Sequence, residues 1–188
     1  MADNILREWG EKTLPTFFHS TTFQETGIPY DPVDFALTQV GANEATGGDD
    51  KFIEWYNTNF NGNFNMAVPW CSIFVSWCLA QAGSKDIAFS YAEDGLSKFL
   101  KVNRFKEVRE YTPQRNDVFF VTNNSTRQSN RKCAFTDKYL HPTHVGLVIG
   151  VNKDEGYFTS VEGNYSDSVK LVNRYLSSPN VVGFGINY

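Results

Sequence analysis

PWCSIFVSWCLAQAG, residues 69–83, is the most informative segment of the chain. Pro69 suits the start of a helix and Gly83 its end, because proline fits the first helical turn and glycine the left-handed residue after the last one. Large apolar residues recur between them at helical spacing. The segment therefore predicts a core helix with Cys71 in its first turn and a buried stripe formed by Trp70, Ile73, Phe74, Trp77 and Cys78.

Further helices and then strands are predicted outward from this segment. Apolar spacing favours helices at residues 32–40, 51–56 and 92–100. Short runs rich in β-branched and aromatic residues predict strands at 117–121, 144–151, 157–162, 169–172 and 181–186, and the polar segment 123–138 predicts a long loop. Because helices precede strands, the predicted class is α+β, with an antiparallel sheet packed on the helix that carries Cys71.

Length, charge and hydropathy favour one globular domain. The 188 residues can build one full core; residues 1–33 are predicted to be an N-terminal extension and residues 34–188 the domain. A net charge of -4 argues against a nucleic-acid partner. The N-terminus lacks the apolar core of a signal peptide, and no run approaches the length of a membrane span. We expect a monomer, made in the cytoplasm, that has no membrane partner.

The chain contains three cysteines, and this odd number leaves at least one thiol free. Cys71 is the candidate nucleophile, because the positive end of a helix dipole favours the thiolate and first-turn N–H groups can stabilise an oxyanion. The alternative for Cys71 is a small buried core residue. Cys78 falls within the apolar stripe and is predicted to pack, whereas Cys133 lies in the polar loop without a suitably spaced partner.

His144 is the favoured general base, since imidazole titrates near neutrality. His19 lies in the extension and His141 precedes a proline, whereas His144 opens the most apolar predicted strand. A strand end facing a helix N-terminus is where a Cys–His pair would be built, although a histidine at a strand start can also be structural. A zinc site from Cys133, His141 and His144 is disfavoured, because their spacing is irregular and a fourth ligand is missing.

Two residues at the end of the next predicted strand could orient the imidazole. Glu162 and Asn164 are two positions apart, so both could point the same way if the strand persists through Gly163. Glu162 is favoured, because a carboxylate also stabilises the imidazolium. Asn164 is given a supporting or oxyanion-side role, and turn formation in the Gly163-Asn164-Tyr165 segment is an equal alternative for it.

Taken in order, these motifs resemble the CHAP family (cysteine, histidine-dependent amidohydrolases and peptidases) within the papain-like, NlpC/P60-like group. The resemblance covers residues 34–186 and is most specific in Trp70-Cys71-Ser72-Ile73-Phe74. Weaker matches are Val40-Gly41-Ala42-Asn43-Glu44, the pair Trp55-Tyr56, the segment from Pro113 to Phe120, His144-Val145-Gly146-Leu147-Val148 and Val161-Glu162-Gly163-Asn164. Asn116 stands where the family usually has glycine before Asp117, which concerns the turn and not the chemistry.

The resemblance implies a peptidoglycan hydrolase that uses Cys71, His144, Glu162 and Asn164, acting as an N-acetylmuramoyl-L-alanine amidase or as an endopeptidase of stem peptides and cross-bridges. No metal or other cofactor is expected, because Gly48-Asp49-Asp50-Lys51 departs from the Asp-x-Asp-Gly calcium loop of some relatives. Without a signal peptide, the chain fits a phage lysin released by a holin, which we favour, or an injected antibacterial effector. An effector would imply a cognate immunity protein.

Two other classes of function remain open. The domain could be a wall-binding or tail-associated structural module without turnover, although the presence of Cys71, His144 and Glu162 together argues against this. It could also be a cytosolic thiol amidase or transferase that acts on small amides. Such an enzyme would act on soluble substrates and leave intact cell-wall sacculi unchanged.

Overall fold

The computed structural model describes residues 31–84, 87–122 and 141–187. Residues 1–30 of the predicted extension and the predicted loop at 123–138 lie outside these ranges. The helices of the described part are α1 (Pro32–Leu37), α2 (Asp50–Phe60), α3 (Cys71–Gln81) and α4 (Ala92–Lys101), with a short 3-10 turn at Glu44–Thr46. All four lie where the apolar spacing predicted helices, and α2 extends beyond the predicted residues 51–56. None of these helices is long and apolar enough to cross a membrane.

Six strands of the described chain form one sheet in the order β1-β6-β2-β3-β4-β5, and every neighbouring pair is antiparallel. The strands are β1 (Phe105–Glu107), β2 (Val118–Val121), β3 (His144–Asn152), β4 (Tyr157–Glu162), β5 (Lys170–Tyr175) and β6 (Val181–Gly185). The predicted α+β class with an antiparallel sheet is thus confirmed. Strand β1 was not predicted, because three residues are too few to establish an alternating pattern.

Apolar side chains fill both faces of the sheet. Val118, Phe120, Val145 and Leu147 point to the helices and join the larger core cluster. Their strand neighbours on the opposite face form a second buried cluster, which includes Phe119, Val148, Phe158 and Phe184. The strands therefore read as nearly continuous apolar runs, which is what burial on both faces requires.

Helix α3 is buried on almost all sides, which corrects the prediction of a single buried stripe. It packs against α1, α2, β3 and β4. Ser72, Val75 and Ser76 are buried although they lie outside the predicted stripe, and Trp77, predicted to be buried, is only partly so. A helix that is apolar on all sides is expected inside the core. The two helices and two strands packed around α3 account for its burial.

The first described residues are tied to the turn that precedes β2. Asp31 caps α1 by accepting from the Asp34 N–H at 2.8 Å, and it also accepts from Arg115 Nε at 2.7 Å. Val33, assigned to the extension from sequence, is fully buried in the core. Asn116 has a φ of 76°, a conformation that asparagine tolerates better than most residues, which explains how it stands in the position where the family usually has glycine.

Gly163 lets α3 approach the end of β4 closely. A Cβ at this position would lie 2.6 Å from the Cβ of Phe74, well inside van der Waals contact. Phe74 is on the first turn of α3, three residues after Cys71, and Gly163 directly follows Glu162. The absence of a side chain at residue 163 therefore brings the start of α3 close to the polar end of the sheet.

Candidate active site

Cys71 is the first residue of α3 and is 5% exposed. The first N–H groups of a helix have no acceptor within the helix, and the positive end of the helix dipole lies there. Trp70, at the N-cap position, provides no side-chain hydrogen bond to these groups. The Cys71 thiol therefore lies beside backbone donors that can stabilise a thiolate or an oxyanion.

His144 is the hydrogen-bond partner that changes the acidity of Cys71. Burial would raise the pKa of the thiol, but the hydrogen bond and the charge of His144 oppose this. Ser72, whose hydroxyl oxygen lies 4.0 Å from the Cys71 sulfur, contributes in the same direction. The net effect is a Cys71 pKa below the ordinary value of 9.0. This shift favours the thiolate.

His144 and Glu162 form the second half of the arrangement. His144 Nε2 lies 2.7 Å from Glu162 Oε2, which leaves Nδ1 as the ring nitrogen available to Cys71. Burial would lower the pKa of His144, but its bonds to Cys71 and Glu162 raise the pKa from 6.5 to about 9. The described site thus stabilises a thiolate–imidazolium pair.

Glu162 is completely buried and remains ionised because of its neighbours. Burial would raise its pKa, but hydrogen bonds and charge from Arg174 and then from His144 leave the pKa below the ordinary 4.5. Arg174 Nε and Nη2 each donate to a different Glu162 oxygen at 2.6 Å, and Ser160 Oγ donates to Oε1 at 2.6 Å. Neither Arg174 nor Ser160 was predicted from the sequence. Both lie on sheet strands, and the alternation that puts Ser160 on the face of Glu162 was the available signal.

Asn164 lies beside the pair but is not bonded to His144. Its φ of 57° places it in a left-handed turn that follows β4, so the strand does not persist through Gly163 as the sequence reasoning required. Of the two candidates left open for the orienting residue, only Glu162 is hydrogen-bonded to the imidazole within the described part of the chain. Asn164 instead lines the cavity that Cys71 and His144 face.

The cavity has a volume of about 380 Å³ and is mainly polar. Its described wall comprises Pro69, Cys71, Val121, Thr122, Thr143, His144, Asn164, Tyr165, Ser166, Arg174 and Asn180. A cavity of this size can hold several atoms on each side of a reacting carbonyl group. Cys71, His144 and several amide and hydroxyl side chains therefore share one opening.

Of the remaining cysteines and histidines, the two that the structure describes, Cys78 and His141, do not join this cluster. Cys78 is fully buried, and burial raises its pKa well above 9.0, in agreement with its predicted packing role. His141 Nδ1 lies 2.9 Å from Glu93 Oε1 on α4. Cys133 and His19 lie outside the described residues. Within the described ranges no group of three or more histidine, cysteine or acidic residues could hold a metal ion.

Comparison with protein families agrees with this arrangement. The CHAP domain model matches residues 62–164, more than half of the chain, and the protein therefore belongs to the CHAP domain family. The matched range contains Cys71, His144, Glu162 and Asn164. Comparisons with curated proteins and with solved structures give no significant match. CHAP domains are typically cysteine- and histidine-dependent amidohydrolases or peptidases, and membership indicates amidase or peptidase activity on peptidoglycan in general terms.

Proposed function

We propose that this protein hydrolyses amide bonds of bacterial peptidoglycan through a thioester, either as an N-acetylmuramoyl-L-alanine amidase or as an endopeptidase of stem peptides and cross-bridges. The observation that carries the proposal is that Cys71 and His144 line the same open cavity, while His144 Nε2 is hydrogen-bonded to the buried Glu162 carboxylate. A buried carboxylate behind an imidazole, which itself faces a thiol, is the arrangement that activates a cysteine nucleophile.

In the first half of the reaction, the Cys71 thiolate adds to the scissile carbonyl carbon. His144, which has taken the thiol proton, donates it to the amine as the C–N bond breaks, and the acyl group remains on the sulfur as a thioester. In the second half, His144 removes a proton from water, whose oxygen attacks the thioester. The acid product leaves, and the proton returns to the sulfur.

Oxyanion stabilisation is assigned to the start of α3. The Cys71 N–H lies in the first helical turn, where the helix offers donors and a favourable dipole. Asn164 lines the same cavity, and its side-chain amide is the proposed second donor. Glu162 keeps the imidazole oriented and stabilises the imidazolium.

The fold proposed for this activity is the papain-like, NlpC/P60-like arrangement, in which a nucleophile helix packs on an antiparallel sheet. We propose that the enzyme acts as a monomer without a metal or other cofactor, on the cell wall or in the periplasm. Of the two routes to that location, release by a holin as a phage lysin is favoured over injection as an antibacterial effector. The second route requires an immunity protein that covers the cavity.

The test is mass spectrometry of the muropeptides released from purified sacculi. Wild-type protein is expected to release fragments with new termini that identify the bond, whereas Cys71→Ala releases none. Cys78→Ala is the matched control, because it removes the other described free thiol of the same helix and is expected to release the same fragments. Sacculi of several chemotypes left intact by the wild type would contradict wall hydrolysis and favour a binding module or a thiol amidase of small substrates.

A further inference from the structure

We propose that Arg174 is a positioning residue of this site, which fixes the Glu162 carboxylate against His144 and thereby controls the reactivity of Cys71. The inference rests on the proposed function, in which His144 and Glu162 serve Cys71. It adds to Cys71, His144 and Glu162 a residue of strand β5, which lies outside the segment that matches the CHAP domain model.

Hydrogen bonds hold both carboxylate oxygens of Glu162. Arg174 donates to both carboxylate oxygens, from Nε to Oε1 and from Nη2 to Oε2, each at 2.6 Å. Ser160 occupies the second position on Oε1, and His144 occupies the second position on Oε2. A two-point guanidinium contact fixes the plane of a carboxylate, which a single donor cannot do. Oε2 is consequently held where His144 Nε2 needs it.

Arg174 is itself held in place by aromatic rings that also border His144. Its guanidinium carbon lies 5.2 Å from the centre of the Phe119 ring and 5.7 Å from that of Tyr165. The His144 ring lies 6.4 Å from each of the same two rings. Arginine stacked on aromatic faces gains cation–π attraction and loses rotational freedom. The Arg174–Glu162 pair and His144 are thus parts of one packed unit.

The charge of Arg174 complements its geometry. The charged groups that face Glu162 are His144 from β3 and Arg174 from β5, with Cys71 of α3 behind His144. Lys170 is the direct cross-strand partner of Glu162, yet it is exposed and makes no bond to the carboxylate. A completely buried carboxylate without its cationic partner would take up a proton more readily. A protonated Glu162 would no longer stabilise the His144 imidazolium or, through it, the Cys71 thiolate.

Three variants separate these effects. Arg174→Met removes the charge and both hydrogen bonds, and Arg174→Lys keeps the charge but cannot reproduce the two-point contact. Lys170→Met is the matched control. Lys170 lies on β5, as Arg174 does, and is paired with Glu162 across the strands, so the substitution removes a positive charge but no bond to the carboxylate. Thermal denaturation verifies that each variant is folded.

The first readout is the rate at which iodoacetamide alkylates Cys71 as a function of pH, followed by peptide mass spectrometry. It needs no cell-wall substrate, so its outcome is independent of whether peptidoglycan is cleaved. In Arg174→Met the pH at which alkylation sets in is expected to rise by about one unit or more. Glu162 would take up its proton at a higher pH, and the thiolate of Cys71 would then be less stabilised. Arg174→Lys should shift less, and Lys170→Met should superimpose on the wild type.

The decisive comparison places Arg174→Met in a Glu162→Gln background. If Arg174 acts through Glu162, adding Arg174→Met to Glu162→Gln should cause little further change in the alkylation profile or in the kcat of hydrolysis. Alone, Arg174→Met should lower kcat about 10- to 100-fold with a smaller change in KM, the loss typical when an orienting partner is removed. An alkylation profile identical to the wild type, an undiminished effect in the Glu162→Gln background, or a change confined to KM would overturn the proposal.

Discussion

Cys71 and Cys78 lie on the same helix, both buried and both free thiols, yet they differ in acidity. The pKa of Cys71 is lowered, whereas that of Cys78 is raised well above 9.0. Burial acts in the same direction on both. The difference comes from His144, which faces the end of α3 at Cys71 and has no counterpart at Cys78 among the described residues. A helix in the core can therefore carry an inert thiol and an activated one two turns apart.

Of the substitutions that change the difference between Cys71 and Cys78, we expect Glu162→Gln to have the largest effect. Because Glu162 helps to raise the pKa of His144 to about 9, its loss should move the basic limb of kcat/KM down toward 6.5, the ordinary histidine value. Loss of the orienting carboxylate should also lower kcat by about 10⁴-fold. Steady-state kinetics on released muropeptides across pH measures both. A basic limb that stays near its wild-type position would contradict the assignment of Glu162.

The positions of Cys71 and His144 could be predicted from sequence, for identifiable reasons. Cys71 lies two residues after Pro69 at the start of an unusually apolar helical segment, and His144 opens a long apolar strand. Glu162 and Asn164 could not be separated in the same way. Their difference depends on where β4 ends, and the left-handed conformation of Asn164 is a property of the folded turn.

Arg174 could not be predicted because its contact with Glu162 crosses the sheet diagonally. The register pairs Arg174 with Phe158 and Glu162 with Lys170, so simple cross-strand reasoning would have selected the wrong cation. Strand β1 and the burial of α3 on nearly all sides were missed for related reasons. Three residues show no alternating pattern of their own, and β1 forms by pairing with the distant β6, while the burial of α3 depends on elements that are also distant in sequence.

A smaller effect is expected from Gly163→Ala, which tests how closely α3 must approach the sheet. The added methyl group would overlap Phe74, so we expect the free energy of unfolding to fall by about 1–3 kcal/mol. We also expect slower alkylation of Cys71, because the start of α3 would move away from His144. Urea denaturation and alkylation kinetics measure the two effects. The double variant Gly163→Ala, Phe74→Leu should recover part of the reactivity. Unchanged alkylation in the single variant would show that this close approach is not required.

The smallest effect is expected from Cys78→Ala, which removes the inert member of the pair. Loss of a small buried sulfur should lower the free energy of unfolding by about 1 kcal/mol and leave kcat/KM within about twofold of the wild type. Urea denaturation and muropeptide kinetics measure these quantities. A large fall in activity without loss of stability would give Cys78 a role that its environment does not indicate.

The central claim is that His144 makes Cys71 the reactive thiol of α3. Its most direct test is the pH dependence of alkylation at Cys71 and Cys78, measured by peptide mass spectrometry in wild type and in His144→Ala. We expect Cys71 of the wild type to react below pH 9.0 while Cys78 stays protected. In His144→Ala we expect the Cys71 profile to move up toward 9.0 or above, because the largest contribution that opposes burial is lost. A pH profile of Cys71 alkylation that is the same in His144→Ala as in the wild type would contradict the account.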